Sequence, residues 1–242
     1  CYICLEAVHP RTGEGLVRGC ACGDRDGVAS PELGVAHVSC LAEQAKILVA
    51  EAVENKLGAK ALEGGWARWR TCDLCKQDYH GVVACALGGA CWKTYLGREE
   101  RDPTLGAAMT DLANGLSAAN YYGEALNIEL SVLAVHQRMG SPDGVIASYQ
   151  GNIACSYNNL KCHDKALELR RVIYTKHLSL YGPNHIITFR SAHNLGESFL
   201  FTCNYAEAVS LMRETMFSVD STLAPDHTIS IQIRRNLARA LT

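Results

Sequence analysis

Apolar and small residues beyond Pro103 recur when the chain is compared with itself at an offset of 41 or 42 residues. Four kinds of position keep this offset: an alanine, the aliphatic residue after it, an aliphatic residue upstream and a proline downstream. They are Ala125, Ala166 and Ala208; Leu126, Leu167 and Val209; Leu112, Ile153, Leu195 and Leu237; and Pro142, Pro183 and Pro225. Self-similarity at this period is typical of stacked helical repeats. Each unit is therefore predicted to be a helix, a short turn, a second helix and a proline-bearing loop.

The first 80 residues have a different pattern, with turn signals at residues 11–15, 19–27 and 30–34 and few apolar residues to form a core. One helix is predicted over residues 41–57, because apolar residues recur there at three- and four-residue steps without Gly or Pro. These are Leu41, Ala45, Leu48, Val49, Ala52 and Val53. A second apolar face predicts a connecting helix between the two regions, and it consists of Val82, Val83, Ala86, Ala90 and Tyr95.

Seven of the 12 cysteines and one histidine fall in four closely spaced pairs within residues 1–75. The pairs are Cys1/Cys4, Cys20/Cys22, His37/Cys40 and Cys72/Cys75. Short gaps let both members of a pair reach one ion, and thiolates with one imidazole suit tetrahedral zinc in closed structural sites. Eight ligands imply two structural zinc ions, which would replace the missing core. The alternatives are a set of unrelated buried thiols, and His80 in place of His37 as the imidazole ligand. The cysteines outside the pairs are assigned no metal: Cys85, Cys91, Cys155, Cys162 and Cys203.

Composition and charge narrow the class of protein. A formal net charge of -2 and a pI near 6.5 argue against nucleic-acid binding, which requires a dominant basic surface. The best apolar stretch, residues 81–92, is too short for a membrane span, which takes roughly 20 apolar residues. No secretion signal is present, so a soluble intracellular protein, cytoplasmic or nuclear, with reduced thiols is expected. Because the chain begins at a cysteine and its last motif is cut short, it is expected to be a fragment of a longer product.

The short motifs that mark several enzyme classes are missing from the sequence, which has no H-E-x-x-H, no G-x-S-x-G and no phosphate-binding loop. A zinc ion with four protein ligands keeps no open position for water. Both ions are therefore expected to be structural, and no residue is predicted to be catalytic.

The repeated region, residues 105–242, resembles the tetratricopeptide repeat. Two of its units pair a small residue with an aromatic residue three positions on and an alanine in the second helix: Ala154, Tyr157 and Ala166, then Gly196, Phe199 and Ala208. The 42-residue period and the loops Pro183-Asn184-His185 and Pro225-Asp226-His227 are similar to the kinesin-light-chain type. The resemblance implies a right-handed superhelix whose concave face binds peptides or partner proteins. Candidates on that face, with solvated helix surface as the alternative, are Asn152, Asn158, Asn159, Asn194 and Arg190.

The order and spacing of the cysteine pairs resemble the RING-CH zinc domain. The single-residue gap of Cys20/Cys22 followed by Gly23, the first pair with Ile3 between its cysteines, and the closing segment 71–79 carry the resemblance. PHD fingers share the ligand order, but they have a wider second pair and a tryptophan where this chain has Arg70. The resemblance implies a cross-brace, with Cys1, Cys4, His37 and Cys40 on one zinc ion and Cys20, Cys22, Cys72 and Cys75 on the other.

The RING-CH resemblance also implies a docking surface for a ubiquitin-conjugating enzyme. Its predicted partner-binding residues are Ile3, Leu74, Lys76, Trp66 and Trp69. Ile3 fills the aliphatic position of the first knuckle, and Lys76 follows the last ligand, where a basic residue contacts ubiquitin. The two tryptophans are candidates for the groove tryptophan of the family, although the interval after Cys40 is longer than usual. Core packing, or ordinary solvation for Lys76, is the alternative at each position.

The sequence therefore predicts a mainly α protein: a small two-zinc cross-brace RING-like domain at residues 1–80, a connecting helix at 81–102 and an α-solenoid of helix-turn-helix repeats at 103–242. The units are placed at residues 103–143, 144–184 and 185–226, with the first helix of a fourth at 227–242. The resemblances imply a RING-type ubiquitin ligase that binds a ubiquitin-conjugating enzyme through its zinc domain and a protein or peptide substrate through its repeats. The alternatives are a non-enzymatic interaction scaffold and a PHD-like peptide reader.

Overall fold

A computed structural model describes residues 1–20, 22 and 34–242 of the chain. Within these residues the fold is mainly helical, with isolated β-bridges at Val17–Ala36 and Thr71–Asp78. The helices are α1 Val38–Glu54, α2 Ala59–Ala67, α3 Gly81–Tyr95, α4 Pro103–Ala118, α5 Tyr122–Arg138, α6 Asp143–Asn159, α7 His163–Tyr181, α8 Ile186–Phe201, α9 Tyr205–Thr222 and α10 Thr228–Leu241. Gly23, which belongs to the RING-CH resemblance, and most of the turn signals at 19–27 and 30–34 lie outside the described residues.

The helices from α4 onward follow the predicted repeat. Three turns between paired helices place a residue in the left-handed region at equivalent positions: Asn120 (φ 68°), Lys161 (φ 62°) and Cys203 (φ 59°). The amide after each of these residues donates to a carbonyl five positions earlier, at 2.8–2.9 Å. This hydrogen bond satisfies a carbonyl that the helix end leaves without a helical partner. The 41- and 42-residue offset is thus visible in the backbone as well as in the apolar positions.

Two of the three proline-bearing loops end in a histidine that caps the next helix. The His185 Nδ1 atom accepts a hydrogen bond from the Ile187 amide at 3.2 Å, and the His227 Nδ1 atom accepts one from the Ile229 amide at the same distance. Both histidines have extended backbone angles, as a residue that precedes a helix does. The Pro-x-His motif seen in the sequence therefore marks the start of α8 and α10.

The chain divides into two compact units, residues 1–132 and 133–242. In the first unit, α1 packs against α2 and α3, and α3 packs closely along α4. One core cluster there joins Ala45, Val49, Trp69, Cys91, Tyr95 and Ala108. In the second unit, consecutive helices from α6 to α10 pack against one another around Phe189, Met212, Val219 and Ile233. Small residues permit this close packing, since Ala154, Ala166 and Ala208 are 0% exposed.

The helix predicted at residues 41–57 is present as α1, which begins at Val38 and already ends at Glu54. The connecting helix predicted at residues 81–102 is present as α3, which ends at Tyr95. The α2 helix was not predicted from the sequence. It follows Gly58, whose φ of 86° is in the left-handed region, and it contains Gly64 and Gly65, so no clear apolar period marks it. Among the helices of the described residues, none is at once long enough and apolar enough to cross a membrane.

Candidate metal centre

The first predicted group of ligands meets at the start of α1. His37 immediately precedes the helix and Cys40 lies in its first turn, so the helix fixes their spacing. Cys4 Sγ lies 3.4 Å from His37 Nδ1, and Cys40 Sγ lies 3.6 Å from the same nitrogen. Cys1 completes the group, in which all ligand atoms lie within 4.8 Å of one another.

The other ring nitrogen of His37 fixes the tautomer that a metal site requires. His37 is fully buried, and its Nε2 donates to the carbonyl oxygen of Ala7 at 3.3 Å. A proton on Nε2 leaves the lone pair of Nδ1 directed at the sulfurs. Hydrogen bonds of this kind, from the second nitrogen of a histidine ligand, are a regular feature of metal sites.

Glu14 holds the loop after the first knuckle against the beginning of α1. Its carboxylate accepts from the Val38 amide at 2.6 Å and from the Ser39 amide at 3.3 Å, and it also contacts the Ser39 hydroxyl. Burial acts to raise the pKa of Glu14, but the hydrogen bonds from Ser39 and Val38 lower it overall. An anion at a helix N-terminus satisfies unpaired amides and interacts favourably with the helix dipole. This contact positions the His37/Cys40 pair.

The second group consists of Cys20, Cys22, Cys72 and Cys75. Cys72 and Cys75 belong to a tight turn closed by the Cys72 amide on the Gln77 carbonyl at 2.8 Å and the Lys76 amide on the Cys72 carbonyl at 2.9 Å. The Cys22 and Cys72 sulfurs lie 3.5 Å apart. Burial would raise the pKa of Cys72, but hydrogen bonds from the backbone of Cys75 and Leu74 help to lower it to about 7. Backbone donors of the turn thus favour the thiolate form that binds metal.

Both groups have the donor atoms and dimensions of tetrahedral zinc sites. Bonds of about 2.3 Å to sulfur and about 2.0 Å to nitrogen place a sulfur and a nitrogen about 3.5 Å apart, and two sulfurs about 3.8 Å apart. The distances of 3.4 and 3.6 Å in the first group and 3.5 Å in the second are close to these values. Each group can therefore hold a metal ion, and three thiols with an imidazole, or four thiols, are compatible with zinc.

The two groups are interleaved along the chain. The first joins the first and third pairs, and the second joins the second and fourth pairs. These are the groups that the RING-CH resemblance implied. Residues far apart in sequence therefore meet at each site, which links the loops into one unit.

Ile3 lines an apolar groove between the first knuckle and α1. The groove has a volume of about 480 Å³, and its apolar lining includes Ile47 and Leu48, with Glu43 and Glu51 among its polar residues. Ile47 is 47% exposed, so it presents an aliphatic surface at this groove. Sequence analysis did not single out Ile47, although its place on the solvent-facing side of α1 could have indicated it.

The remaining predicted docking residues are distributed differently. Leu74 is 44% exposed, and Lys76, with a φ of 60°, forms an exposed ion pair with Asp73 at 2.6 Å. Trp69 is only 1% exposed and packs edge-on against Tyr95, so it presents no surface to a partner and the packing alternative applies. Trp66 is partly buried against the same Tyr95 ring, at 5.1 Å between ring centroids. Both tryptophans therefore pack on α3, Trp66 from the end of α2 and Trp69 from the turn that follows it, and they do not line the groove with Ile3.

A second groove lies within residues 133–242, among α6, α7 and α8, with a volume of about 350 Å³. Three of the residues suggested for the concave face line it: Asn152, Asn194 and Arg190. The other two, Asn158 and Asn159, do not, and Asn158 contacts the His163 ring at 3.2 Å. Arg170, which the sequence did not indicate, also lines the groove and donates to the Asn194 carbonyl at 2.6 Å.

No protein-family model matches this sequence, and no curated protein matches it. Solved structures do share its fold. The TPR-like repeats of a kinesin light chain from Podosopora anserina are 17% identical with a TM-score of 0.55, over 84% of this chain and 86% of that one. A variant of those repeats that carries one substitution gives the same identity and TM-score over 85% of this chain and 86% of that one. BtubC (BKLC) from P. vanneervenii is 14% identical with a TM-score of 0.60, over 84% of this chain and 81% of that one.

These similarities define the class: the chain has TPR-like helical repeats similar to those of kinesin light chains. The matched share is larger than residues 103–242 can supply, so helices before Pro103 are also superimposed on the repeat structures. Because the identities are below 20%, the likeness concerns the fold alone.

Proposed function

We propose that the chain is a RING-type ubiquitin ligase, in which a zinc domain of residues 1–80 recruits a ubiquitin-loaded conjugating enzyme and the repeats of residues 103–242 bind the protein to be modified. The observation that carries this proposal is the interleaving of two Cys/His groups next to a groove lined by Ile3. The RING-CH resemblance implies both the interleaving and the docking position of Ile3.

The two groups are proposed to hold structural zinc ions, one in each. Bound zinc would supply the fixed geometry that a segment with few apolar residues lacks. Since four protein ligands leave no position for water or substrate, the cysteines act as ligands and not as nucleophiles. The contribution of the chain to the reaction is then positioning: it holds the thioester of the conjugating enzyme and the acceptor amine in a reactive arrangement.

The groove of Ile3 supports a specific docking surface. An exposed aliphatic residue, Ile47, stands beside the first knuckle, and together they offer a small apolar patch with a charged rim. Small apolar anchors surrounded by polar residues are typical of protein–protein hot spots. We assign to Ile47 the docking role that sequence analysis gave to Trp66 and Trp69, and we retain Leu74 and Lys76 as proposed contacts because both are exposed.

The repeat groove is the proposed substrate site. Asn152 and Asn194 occupy equivalent positions in successive units, and both line the groove together with Arg190. Amide side chains on the wall of a groove can hydrogen-bond the backbone of an extended peptide. Protein interaction is also the function that the fold supports when it is considered alone.

A non-enzymatic interaction scaffold is the second candidate. The burial of Trp69 favours it, because the described residues that line this groove include no tryptophan to fill the docking position of the family. In that case the zinc domain would serve as a structural module that precedes the repeats. A PHD-like peptide reader has less support, since its spacing and its tryptophan are both missing from the sequence.

Discharge of ubiquitin from a charged conjugating enzyme to free lysine, measured across a panel of conjugating enzymes, tests the ligase proposal. The wild-type chain should accelerate discharge with at least one of them. Ile47→Glu places a carboxylate in the apolar groove and should lower the stimulated rate at least about ten-fold, equivalent to about 1.4 kcal/mol of docking free energy.

Val53→Glu is the matched control, because Val53 is 54% exposed on the same helix and does not line the groove. This variant should keep the wild-type rate. Equal losses in both variants would remove the groove as the docking surface. If the folded chain with two zinc ions accelerates discharge from none of the conjugating enzymes, the ligase proposal is contradicted. The interaction scaffold is then the remaining candidate function.

A further inference from the structure

The groove among α6, α7 and α8 contains a thiol that the proposed function does not use. Cys155 lines this groove and is exposed, whereas its neighbours on α6, Ala154 and Ser156, are 0% and 2% exposed. The sulfur therefore stands on the groove wall and is accessible to a small reagent.

A buried guanidinium faces this thiol. Arg170 is 7% exposed, and its Nη2 donates to Cys155 Sγ at 3.6 Å. Its Nη1 donates to the Asn194 carbonyl at 2.6 Å, which holds the guanidinium in place. A fixed cation in a groove attracts anions more strongly than a mobile surface lysine does.

Arg190 on α8 adds a second cation to the groove, and the described residues of its lining include no acidic side chain. His177 on α7 also lines it, but burial lowers its pKa, so it adds no fixed charge. His177 is 9% exposed, and its Nδ1 has no hydrogen-bond partner among the described residues. A buried polar atom without a partner calls for an explanation, and a polar ligand bound in the groove would supply one.

Two other exposed cysteines in this unit offer a comparison. Cys162 and Cys203 lie in turns between paired helices, and neither lines the groove. Cys162 contacts the Leu160 carbonyl at 3.7 Å, and Cys203 has a φ of 59° beside Tyr205. Both are exposed like Cys155, but neither lines the groove that contains the Arg170 guanidinium.

We propose that Cys155 is a modification site that forms a mixed disulfide with small anionic disulfides, a class represented by glutathione disulfide. The carboxylates of the reagent are recognised by Arg170 and Arg190, and its amide groups are within the hydrogen-bonding repertoire of His177 and Asn152. The attached tripeptide then occupies the groove. Recognition by charge distinguishes this thiol from Cys162 and Cys203.

The reaction is a thiol–disulfide exchange that needs no further oxidant. The Cys155 thiolate attacks one sulfur of the reagent, the reagent's S–S bond breaks, and a new S–S bond forms to Cys155. The second glutathione leaves as a thiolate with the bonding electron pair and takes up the proton that Cys155 released. The Cys155 sulfur is oxidised, and the departing sulfur is reduced.

Competing disulfides of different charge test the proposal on the full zinc-loaded chain. Glutathione disulfide, neutral bis(2-hydroxyethyl) disulfide and cationic cystamine are each added, and peptide mapping by mass spectrometry gives the initial rate at every cysteine. The rate with glutathione disulfide, divided by the rate with the neutral disulfide, should be about ten-fold larger at Cys155 than at Cys203. The rate with cystamine, divided by the same neutral rate, should be smaller at Cys155 than at Cys203. High salt should reduce the Cys155 preference.

Arg190→Gln removes an exposed cation of the groove and should lower the glutathione preference at Cys155 several-fold without a change at Cys203. Arg170→Gln should lower it further, provided that circular dichroism shows the helices to be intact. Equal preference for the anionic reagent at Cys155 and Cys203 would overturn the proposal. So would a Cys155 preference that Arg190→Gln leaves unchanged, because the groove charge would then play no part.

Discussion

At the scale of single residues, one position of the repeat has a neutral amide side chain in three units and a carboxyl side chain in another. The residue before the recurring aliphatic position is asparagine at 152, 194 and 236 but aspartate at 111. Asn236 is fully buried and donates to the His193 ring at 2.9 Å. Asp111 is 5% exposed on α4, with Arg70 at 3.4 Å and the Cys91 thiol at 3.9 Å. Burial raises the pKa of Asp111 to about 6, although the Arg70 charge opposes the shift.

The raised pKa makes the stability of the chain depend on pH in a defined direction. Between the unfolded pKa of about 3.9 and the folded pKa of about 6, the folded state binds more protons, so the free energy of unfolding falls as pH rises. Asp111→Asn removes this dependence. The free energy of unfolding of the wild type relative to that of the variant should rise by about 1 kcal/mol when pH falls from 7.5 to 5.5.

Urea denaturation of both proteins at several pH values measures this difference, and zinc content is checked at each pH so that only metal-loaded samples are compared. The ion pair with Arg70 is already included in the folded pKa of Asp111, so its loss in the variant adds no further pH dependence. A difference between the proteins that stays constant over this interval would show that Asp111 titrates normally.

The sequence predicted both Cys/His groups but not the packing of the tryptophans, and the reason is physical. The eight ligands are recognisable because a shared ion requires short gaps within each pair. Trp69 is buried by Tyr95, which lies 26 positions later on another helix, so no local spacing reports the contact. The same holds for Asp111 and Arg70, which lie far apart in sequence and meet because α4 packs near the segment before Cys72.

At the scale of elements, two glycines set the distance between α3 and α4. A Cβ atom on Gly88 would lie 2.6 Å from the Asp111 carbonyl oxygen, and one on Gly115 would lie 2.5 Å from the Ala84 carbonyl oxygen. Both contacts are to backbone atoms, which cannot move aside as a flexible side chain can. The helices therefore approach closely because each offers a glycine at the crossing.

Gly88→Ala tests this packing, with Gly89→Ala as its control on the same helix. The first variant should lower the free energy of unfolding by about 1–3 kcal/mol, because the helices must separate. Nothing lies within 4 Å of a Cβ on Gly89, so the second should be neutral or more stable by up to about 1 kcal/mol through helix propensity. Thermal or urea unfolding measures both, and equal stability of the two variants would contradict the close crossing.

The helices of the repeats were predictable because alanines and aliphatic residues recur at a fixed offset, and the kinesin-light-chain-like folds of similar structures agree with them. The close contact of α3 with α4 was not predictable. The Gly88-Gly89 pair looked like an interruption in an apolar stretch, and only the structure distinguishes the glycine at the crossing from its neighbour.

At the scale of the whole molecule, the group of Cys20, Cys22, Cys72 and Cys75 is part of a hydrophobic core. Its four cysteines pack with Leu41, Tyr79, Val83 and Leu87, so residues of α1 and α3 surround the site. Gly19 lies against Val83, where a Cβ atom would come within 2.6 Å. Metal binding at this group should therefore be coupled to the folding of the surrounding helices.

The interleaved pairing of the two groups is the feature on which the ligase proposal depends, and the zinc content of paired variants tests it most directly. Native mass spectrometry should find two zinc ions in the wild-type chain. Cys4→Ser/Cys40→Ser removes two ligands of one group and should keep one ion, whereas Cys4→Ser/Cys72→Ser removes one ligand from each group and should weaken the binding of both ions. One ion retained by the second variant and none by the first would contradict the interleaving.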